Sequence, residues 1–229
     1  MALDLIIFDL DNTIWDFETN SRAALDELYA TVRNDHSIES DFDFFHSNYV
    51  QINYKYWSDY EKGLIDKHQL RYGRFYDAFS RANFHDRRVI DHLADRYIEV
   101  SRTKTIVFDG TYEILDYLKG KYKLAIITNG FSEVVEHKMR NCNLEKYFEL
   151  VQTSEAAGVQ KPDRKIFEMV MNHFGAKPET SLMIGDNLDT DIAGGKNVGM
   201  RTILFDPKDH HKSYSDLRIH HLKELLNHI

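Results

Sequence analysis

Asp9 and Asp11 stand two positions apart, and a hydroxyl, Thr13, follows two positions later. Two carboxylates so close repel each other unless a cation sits between them or one takes a proton. Either remedy is chemistry. A hard cation such as Mg²⁺ is held by one or two carboxylates, with its other positions left to water and phosphate oxygen. A carboxylic acid can pass a proton to a leaving group. The pair therefore reads as a Mg²⁺-dependent phosphoryl-transfer site with an aspartate nucleophile. Taken alone, the same five residues fit a polar strand-to-loop junction, because Asp, Asn and Thr favour turns.

Three further polar signals follow downstream. Thr128-Asn129-Gly130 closes an apolar run, Lys161 precedes Pro162 at the entry to a helical stretch, and Gly185-Asp186-Asn187-Leu188-Asp189-Thr190-Asp191 closes a second apolar run. Each residue type suits phosphoryl transfer. A carboxylate nucleophile splits hydrolysis into formation and breakdown of an aspartyl-phosphate. A second carboxylate protonates the leaving oxygen and later deprotonates water. A hydroxyl and a backbone N–H hold phosphoryl oxygens, a lysine neutralises charge, and an acidic pair completes a metal site.

These signals must be brought to one place by the elements that carry them. Residues 3–8, 123–128, 148–153, 181–185 and 201–205 are short apolar runs of the kind that form buried parallel strands. Helical spacing fills 111–118, 132–141, 163–174 and 189–197 between them, and a short strand near Ile219 and a helix from Leu222 close the chain. This alternation predicts an α/β fold with a doubly wound, Rossmann-like parallel sheet. All four signals then leave the carboxyl edge of that sheet, where such folds bind ligands. The stretch between the first strand and residue 104 has a different texture. Apolar residues recur at helical spacing over 20–32, 42–56, 66–81 and 86–102, with Gly63 past the second helix and Asp66 as an N-cap of the third. That is far longer than a crossover needs. It predicts an all-helical cap domain, 17–103, inserted over the sheet edge of a core made of 1–16 and 104–229. Hinges are expected near 15–18 and 104–108.

Composition sets outer limits. The chain has 229 residues, 42% hydrophobic and 29% charged, with a formal net charge of -8. This balance fits a globular protein and argues against nucleic acid polymers and anionic membranes as partners. The single cysteine, Cys142, allows no intrachain disulfide and points to a reducing compartment, the cytoplasm. The N-terminus reads as neither signal peptide nor span, and no apolar run is long enough to cross a bilayer. The twelve histidines include His210/His211 and His220/His221, adjacent pairs without H-E-x-x-H spacing, which read as surface residues. Gly194-Gly195-Lys196 lacks the leading glycine of a phosphate-binding Walker loop.

The four motifs in order, F-D-L-D-N-T, I-T-N-G-F, Lys161 and G-D-N-L-D-T-D, resemble those of the haloacid dehalogenase (HAD) superfamily of aspartate-nucleophile phosphatases. The resemblance covers nearly the whole chain, the inserted cap included. Carried over, it implies Asp9 as nucleophile and Asp11 as general acid/base. It implies Mg²⁺ held by the Asp9 side chain, the Asp11 backbone carbonyl and Asp186, with Asp191 orienting the metal shell and Asp189 as its competitor. Thr128 and the Asn129 N–H would bind phosphoryl oxygen, and Lys161 would neutralise charge. Within the superfamily the motifs look like the nucleotidase branch, whose members dephosphorylate nucleoside 5′-monophosphates, often pyrimidine ones. The haloacid dehalogenases share the overall plan but lack the second acid that Asp11 supplies. Arg164, where a second proline is common, and Gly195, where alanine is frequent, depart from the pattern without touching the chemistry.

The expected partner is thus a small phosphomonoester, a nucleotide first. A sugar phosphate or phosphoglycolate is the alternative, and a phosphorylatable signalling domain the reading from another class. Candidate specificity residues are Trp15, Asp16, Phe17, Trp57, Tyr60, Arg71, Arg74 and Phe131, although aromatic residues at helical spacing are more often core. Lys165 reads as a solvated helix residue.

Overall fold

The computed structural model describes residues 3–36 and 38–229. The chain divides into two compact units, one running up to Phe17 and resuming at Thr105, the other Glu18–Lys104. Among the described residues no helix is long and apolar enough to cross a membrane.

The first unit is built on a six-stranded sheet. Its strands are β1 (Leu5–Phe8), β2 (Lys123–Thr128), β3 (Leu150–Thr153), β4 (Ser181–Gly185), β5 (Arg201–Phe205) and β6 (Arg218–Ile219), in the order β3-β2-β1-β4-β5-β6. Every neighbouring pair is parallel, and Leu5 of β1 stands between Lys123 of β2 and Ser181 of β4. Side chains alternate across a strand, so successive residues feed two apolar layers. Ile6 and Phe8 join Leu124, Ile126, Leu182 and Ile184 in one layer, which also takes in Ile114, Leu115, Val135 and Met139. Leu5 and Ile7 join Ala125, Ile127 and Met183 in the other, with Ile166, Phe167, Val170 and Met171. Burial on both faces explains why these strands read as unbroken apolar runs, each large side chain contributing about 1.5–3 kcal/mol of transfer free energy. The chain moves outward from β1 to β3, then returns to β4 beside β1. That reversal marks the crevice where doubly wound sheets bind ligands.

The helices of this unit are α5 (Thr111–Leu118), α6 (Ser132–Asn141), α7 (Ser154–Ala157), α8 (Arg164–Phe174) and α9 (Ala193–Asn197). The four-residue α7 and the 3₁₀ turn Pro178–Thr180 have no counterpart in the sequence patterns, and the closing helix is a 3₁₀ turn, Leu222–Asn227. The outgoing and returning chain run side by side at the neck of this unit. Asp16 N donates to Ile106 O at 3.1 Å and Phe108 N to Ile14 O at 3.0 Å, with Trp15 and Val107 bridged antiparallel.

The second unit is helical. It holds α1 (Phe17–His36, whose first residue belongs to the sheet unit), α2 (Phe42–Glu61), α3 (Arg74–Arg81) and α4 (Arg87–Ser101). Asp41 caps α2 by accepting from Phe44 N at 2.8 Å, and Asp86 caps α4 through Arg88 N at 3.0 Å. Its core is aromatic: Tyr29 stacks on Phe45 at 4.5 Å, and Phe45 meets Phe79 at 4.7 Å. The helix expected over 66–81 is interrupted by a π-helical turn, Gln69–Gly73. A Cβ on Gly73 would lie 2.5 Å from Tyr56 Cε1, so the helices approach more closely there than any side chain allows.

Candidate active site

β1 ends at Phe8, and Asp9 N continues the ladder by donating to Ile184 O at 2.8 Å. The chain then folds back at once. Ile14 N and Trp15 N both donate to Leu10 O, and Asn12 takes a left-handed conformation at φ 64°. Asparagine tolerates that region better than most residues. The turn leaves Asp9 on the strand axis and places Asp11 and Thr13 beside it.

β2 ends at Thr128, whose Oγ1 accepts from Gly130 N at 3.0 Å. Asn129 is turned towards Lys161: its Oδ1 accepts from Lys161 N at 2.9 Å and its Nδ2 donates to Lys161 O at 3.3 Å. The side chain of Asn129 thus clamps the lysine backbone, a role that sequence reading missed. Lys161 is only 2% exposed. Its ammonium donates to Asp9 Oδ1 at 2.5 Å, Asp191 Oδ1 at 2.6 Å and Ile127 O at 3.0 Å. A buried ammonium is tolerable only when paired and hydrogen-bonded, and this one fills all three donors.

After β4, Asn187 caps a π-helical turn, Leu188–Ile192, accepting from Asp189 N and Thr190 N. The turn buries Asp191 and leaves Asp189 exposed. Asp191 Oδ2 accepts from Asn187 N at 3.1 Å while Oδ1 takes Lys161, so both oxygens are engaged. Gly185 makes room for this carboxylate, since a Cβ there would lie 2.2 Å from Asp191 Oδ2. Thr13 Oγ1 donates to Asp186 Oδ1 at 3.4 Å.

Carboxylate oxygens of Asp9, Asp186 and Asp191 lie within 4.8 Å of one another, the only such metal-ready group among the described residues. Burial pushes the Asp9 carboxyl up to about 7; Lys161 opposes the rise and Asp191 adds to it. Burial, with Asp9 and Asp191 alongside, holds Asp186 well above the ordinary carboxylate range. Burial works against the charge of Lys161, but Asp191 and Asp9 outweigh it and its pKa is raised. When all three carboxyls are ionised, the one ammonium leaves two negative charges, which one divalent cation would balance. The all-oxygen donor set suits a hard divalent cation such as Mg²⁺, which Asp9 and Asp186 could hold by their side chains with Asp191 framing them.

The structure therefore brings Asp9, Lys161, Asp186 and Asp191 into one cluster. It sets Asp11 and Thr128 on either side of Gly130: a Cβ on Gly130 would lie 3.1 Å from Thr128 Oγ1 and 3.3 Å from Asp11 Oδ2. Asp11 Oδ1 accepts from Lys138 Nζ of α6 at 2.5 Å, with the Lys138 side chain 5% exposed and that of Asp11 26%. Lys138 was absent from the sequence reading. The signal was present: Val135, Lys138, Met139 and Cys142 form an i, i+3, i+4, i+7 row, and a lysine in an apolar row is out of place.

The remaining candidates fall elsewhere. Trp15 is fully buried in the core layer of the sheet unit, Phe131 is buried, and Lys165 is exposed. Arg74 is 3% exposed inside the helical unit, donating to Asn53 Oδ1 at 2.6 Å among the rings of Tyr49, Phe75 and Tyr97. Arg71 pairs with Asp95 at 3.1 Å, and Trp57 packs edge-on to Tyr60.

Known proteins resemble the chain in sequence and in fold. A family model described as haloacid dehalogenase-like hydrolase matches residues 3–199. The chain is 30% identical over 236 residues to pyrimidine 5′-nucleotidase YjjG of Escherichia coli, covering 99% of both chains. It is 30% identical over 232 residues to pyrimidine 5′-nucleotidase PynA of Streptococcus pneumoniae, covering 99% of this chain and 95% of that one. Among solved structures, the HAD-hydrolase YfnB of Bacillus subtilis bound to magnesium superposes with a TM-score of 0.88 at 27% identity, covering 99% of this chain and 98% of that one.

Proposed function

The chain belongs to the haloacid dehalogenase-like hydrolases, and from that premise we propose that it is a Mg²⁺-dependent phosphomonoesterase acting on nucleoside 5′-monophosphates, pyrimidine ones first. The observation that carries the chemistry is the cluster in which Lys161 bridges Asp9 and Asp191 beside Asp186, at the carboxyl ends of adjacent strands. The two nucleotidase relatives support the choice of substrate class.

In this reading an Asp9 carboxylate oxygen forms a bond to phosphorus as the ester P–O bond breaks. The electron pair stays on the ester oxygen, which takes the proton of Asp11. Thr128 Oγ1 and the Asn129 N–H hold phosphoryl oxygens, and Lys161 fixes Asp9 and offsets charge on both it and the phosphate. Water then attacks phosphorus, Asp11 takes its proton, and the bond to Asp9 breaks to give orthophosphate and the starting carboxylate. Mg²⁺, held by Asp9 and Asp186 and the Asp11 backbone carbonyl, would neutralise charge on the transferring group and on the cluster. Asp11 favours a phosphatase over a dehalogenase. The helical unit is where substrate preference is to be sought by mutagenesis, and the single cysteine supports a cytoplasmic setting.

The test is phosphate release from nucleoside 5′-monophosphates, sugar phosphates and phosphoglycolate, with Mg²⁺ and with EDTA. Mg²⁺-dependent turnover led by pyrimidine nucleotides, abolished in Asp9→Asn, is expected. Turnover confined to sugar phosphates or phosphoglycolate overturns the substrate class, and an active Asp9→Asn overturns the nucleophile.

A further inference from the structure

Lys138 lies on the buried row of α6 between Val135 and Met139, both members of the apolar core layer. An ammonium in that row costs desolvation that a buried ion pair rarely returns as stability. Its stem is enclosed, and its Nζ sits 3.8 Å from the centre of the Trp15 ring, so the indole face and one carboxylate oxygen together fix the charge. Trp15 is itself fully buried in the core and packed edge-on against Phe17.

The pair is lopsided. The lysine end is closed at 5% exposure, while the Asp11 side chain is 26% exposed. One oxygen of Asp11 is therefore anchored from inside, and the other, Oδ2, is left beside Gly130, 3.3 Å from where a Cβ there would stand, with Thr128 Oγ1 and Val135 Cγ2 each 3.1 Å from the same point. Free rotation would let a partly exposed aspartate sample several rotamers. The anchor holds one oxygen on Lys138 and leaves Oδ2 as the atom that can carry the proton for the leaving oxygen.

We propose that Lys138 is a positioning residue for Asp11: gripped by the Trp15 ring, it holds one carboxylate oxygen so that the other meets the ester oxygen of the substrate. This rests on the reading of Asp11 as general acid/base. Lys138 touches neither substrate nor metal in this scheme; it acts through Asp11 alone. An alkoxide, the leaving group of a nucleotide or sugar phosphate, needs that proton, whereas p-nitrophenolate does not.

The test measures single-turnover phosphoryl transfer with Mg²⁺ from a nucleoside 5′-monophosphate and from p-nitrophenyl phosphate, in wild type, Lys138→Met, Lys138→Gln, Lys138→Arg and Asp11→Asn. In Lys138→Met the ratio of alkyl to aryl ester rates should fall at least about tenfold, within the ~10²-fold that misplacing a catalytic group can cost, with KM little changed. Lys138→Arg, which keeps a cation against Trp15 and Asp11, should recover most of the ratio. Should Lys138→Met not fold, Lys138→Gln carries the same expectation. Equal losses on both esters would reveal a general packing defect and overturn the proposal, as would a rise in KM without a change in the ratio. If Asp11→Asn shows the split and Lys138→Met does not, the role of Lys138 alone falls. If Asp11→Asn shows no split, the reading of Asp11 falls and takes this proposal with it.

Discussion

Lys161→Met removes the only cation of the carboxylate cluster while keeping the stem that fills its buried channel. The ammonium holds Asp9 Oδ1 at 2.5 Å, Asp191 Oδ1 at 2.6 Å and Ile127 O at 3.0 Å, and the residue is 2% exposed. Breaking a buried pair by deleting one partner costs about 3–5 kcal/mol, because the other charge stays behind. For a chain of this size that is a melting-temperature loss of roughly 6–20 °C. The loss should depend on pH in a set direction. The folded Asp9 carboxyl already sits at about 7, above its ordinary 3.8, and Lys161 is what opposes the rise. Without it the folded state binds more protons than the unfolded one from pH ~4 to beyond ~7, so stability falls as pH rises through that window. In EDTA the variant should approach wild-type stability near pH 5 and fall furthest behind near pH 8. Mg²⁺ at one hundred times its Kd should return about 2.7 kcal/mol. Turnover should drop about 10²–10³-fold or more, as for other preorganised charges. The assay is thermal unfolding across pH with EDTA and with Mg²⁺, alongside phosphate release. A variant as stable as wild type at pH 8 in EDTA would refute the reasoning, because the carboxylates would then not need the ammonium.

In EDTA the wild-type chain should itself lose stability between pH 5 and 7.5, since burial raises Asp9 and Asp186 in the folded state; a melting temperature that climbs over this range contradicts the crowding. Gly185→Ala would drive a Cβ to 2.2 Å from Asp191 Oδ2, and divalent-cation affinity by calorimetry should weaken about 10–100-fold, as for other supporting groups around a metal; unchanged affinity would show that Asp191 does not hold the site. Arg74→Met would leave the buried Asn53 Oδ1 without the guanidinium that donates to it at 2.6 Å, and the helical unit should lose about 1–3 kcal/mol on denaturant unfolding; an unchanged or higher stability would mean that desolvating the guanidinium, whose Nε finds no partner, outweighs that bond and the stacking on Tyr49, Phe75 and Tyr97.

The central strands were legible because burial on both faces writes them as continuous apolar runs, and the residues closing those runs were chemically conspicuous. Asp9, Thr128 and Gly185 are in that sense marked twice, by type and by place. Other parts carry no local mark. β3 starts at Leu150 rather than 148, because Phe148 packs into the core layer before the ladder with β2 begins. The turn at Gln69–Gly73 answers to Tyr56, a residue of another helix. The exposure of Asp189 and burial of Asp191 depend on that same kind of turn at Leu188–Ile192, which a spacing rule for α-helix does not foresee. Lys138 is marked as a lysine in an apolar row, but its role was hidden because its partner Asp11 lies 127 positions away; the Asn129 side chain carries no mark, its partner Lys161 lying 32 away.

The neck at Ile14–Asp16 and Ile106–Phe108 also bears on the order in which the molecule can be made. β1 leaves the ribosome first, yet its ladder partners Lys123 and Ser181 come more than a hundred residues later. Joining β1 to β2 through an unstructured insertion would mean closing a loop of about 118 residues. Once Glu18–Lys104 has folded on its own local contacts, its last residue paired with Glu27 of α1 at 2.9 Å, the flexible span shrinks to about 31. That is nearly two halvings, or about 1 kcal/mol of closure entropy. A helical unit that folds first would thus bring the two chains of the neck together ahead of the sheet, as a splint does.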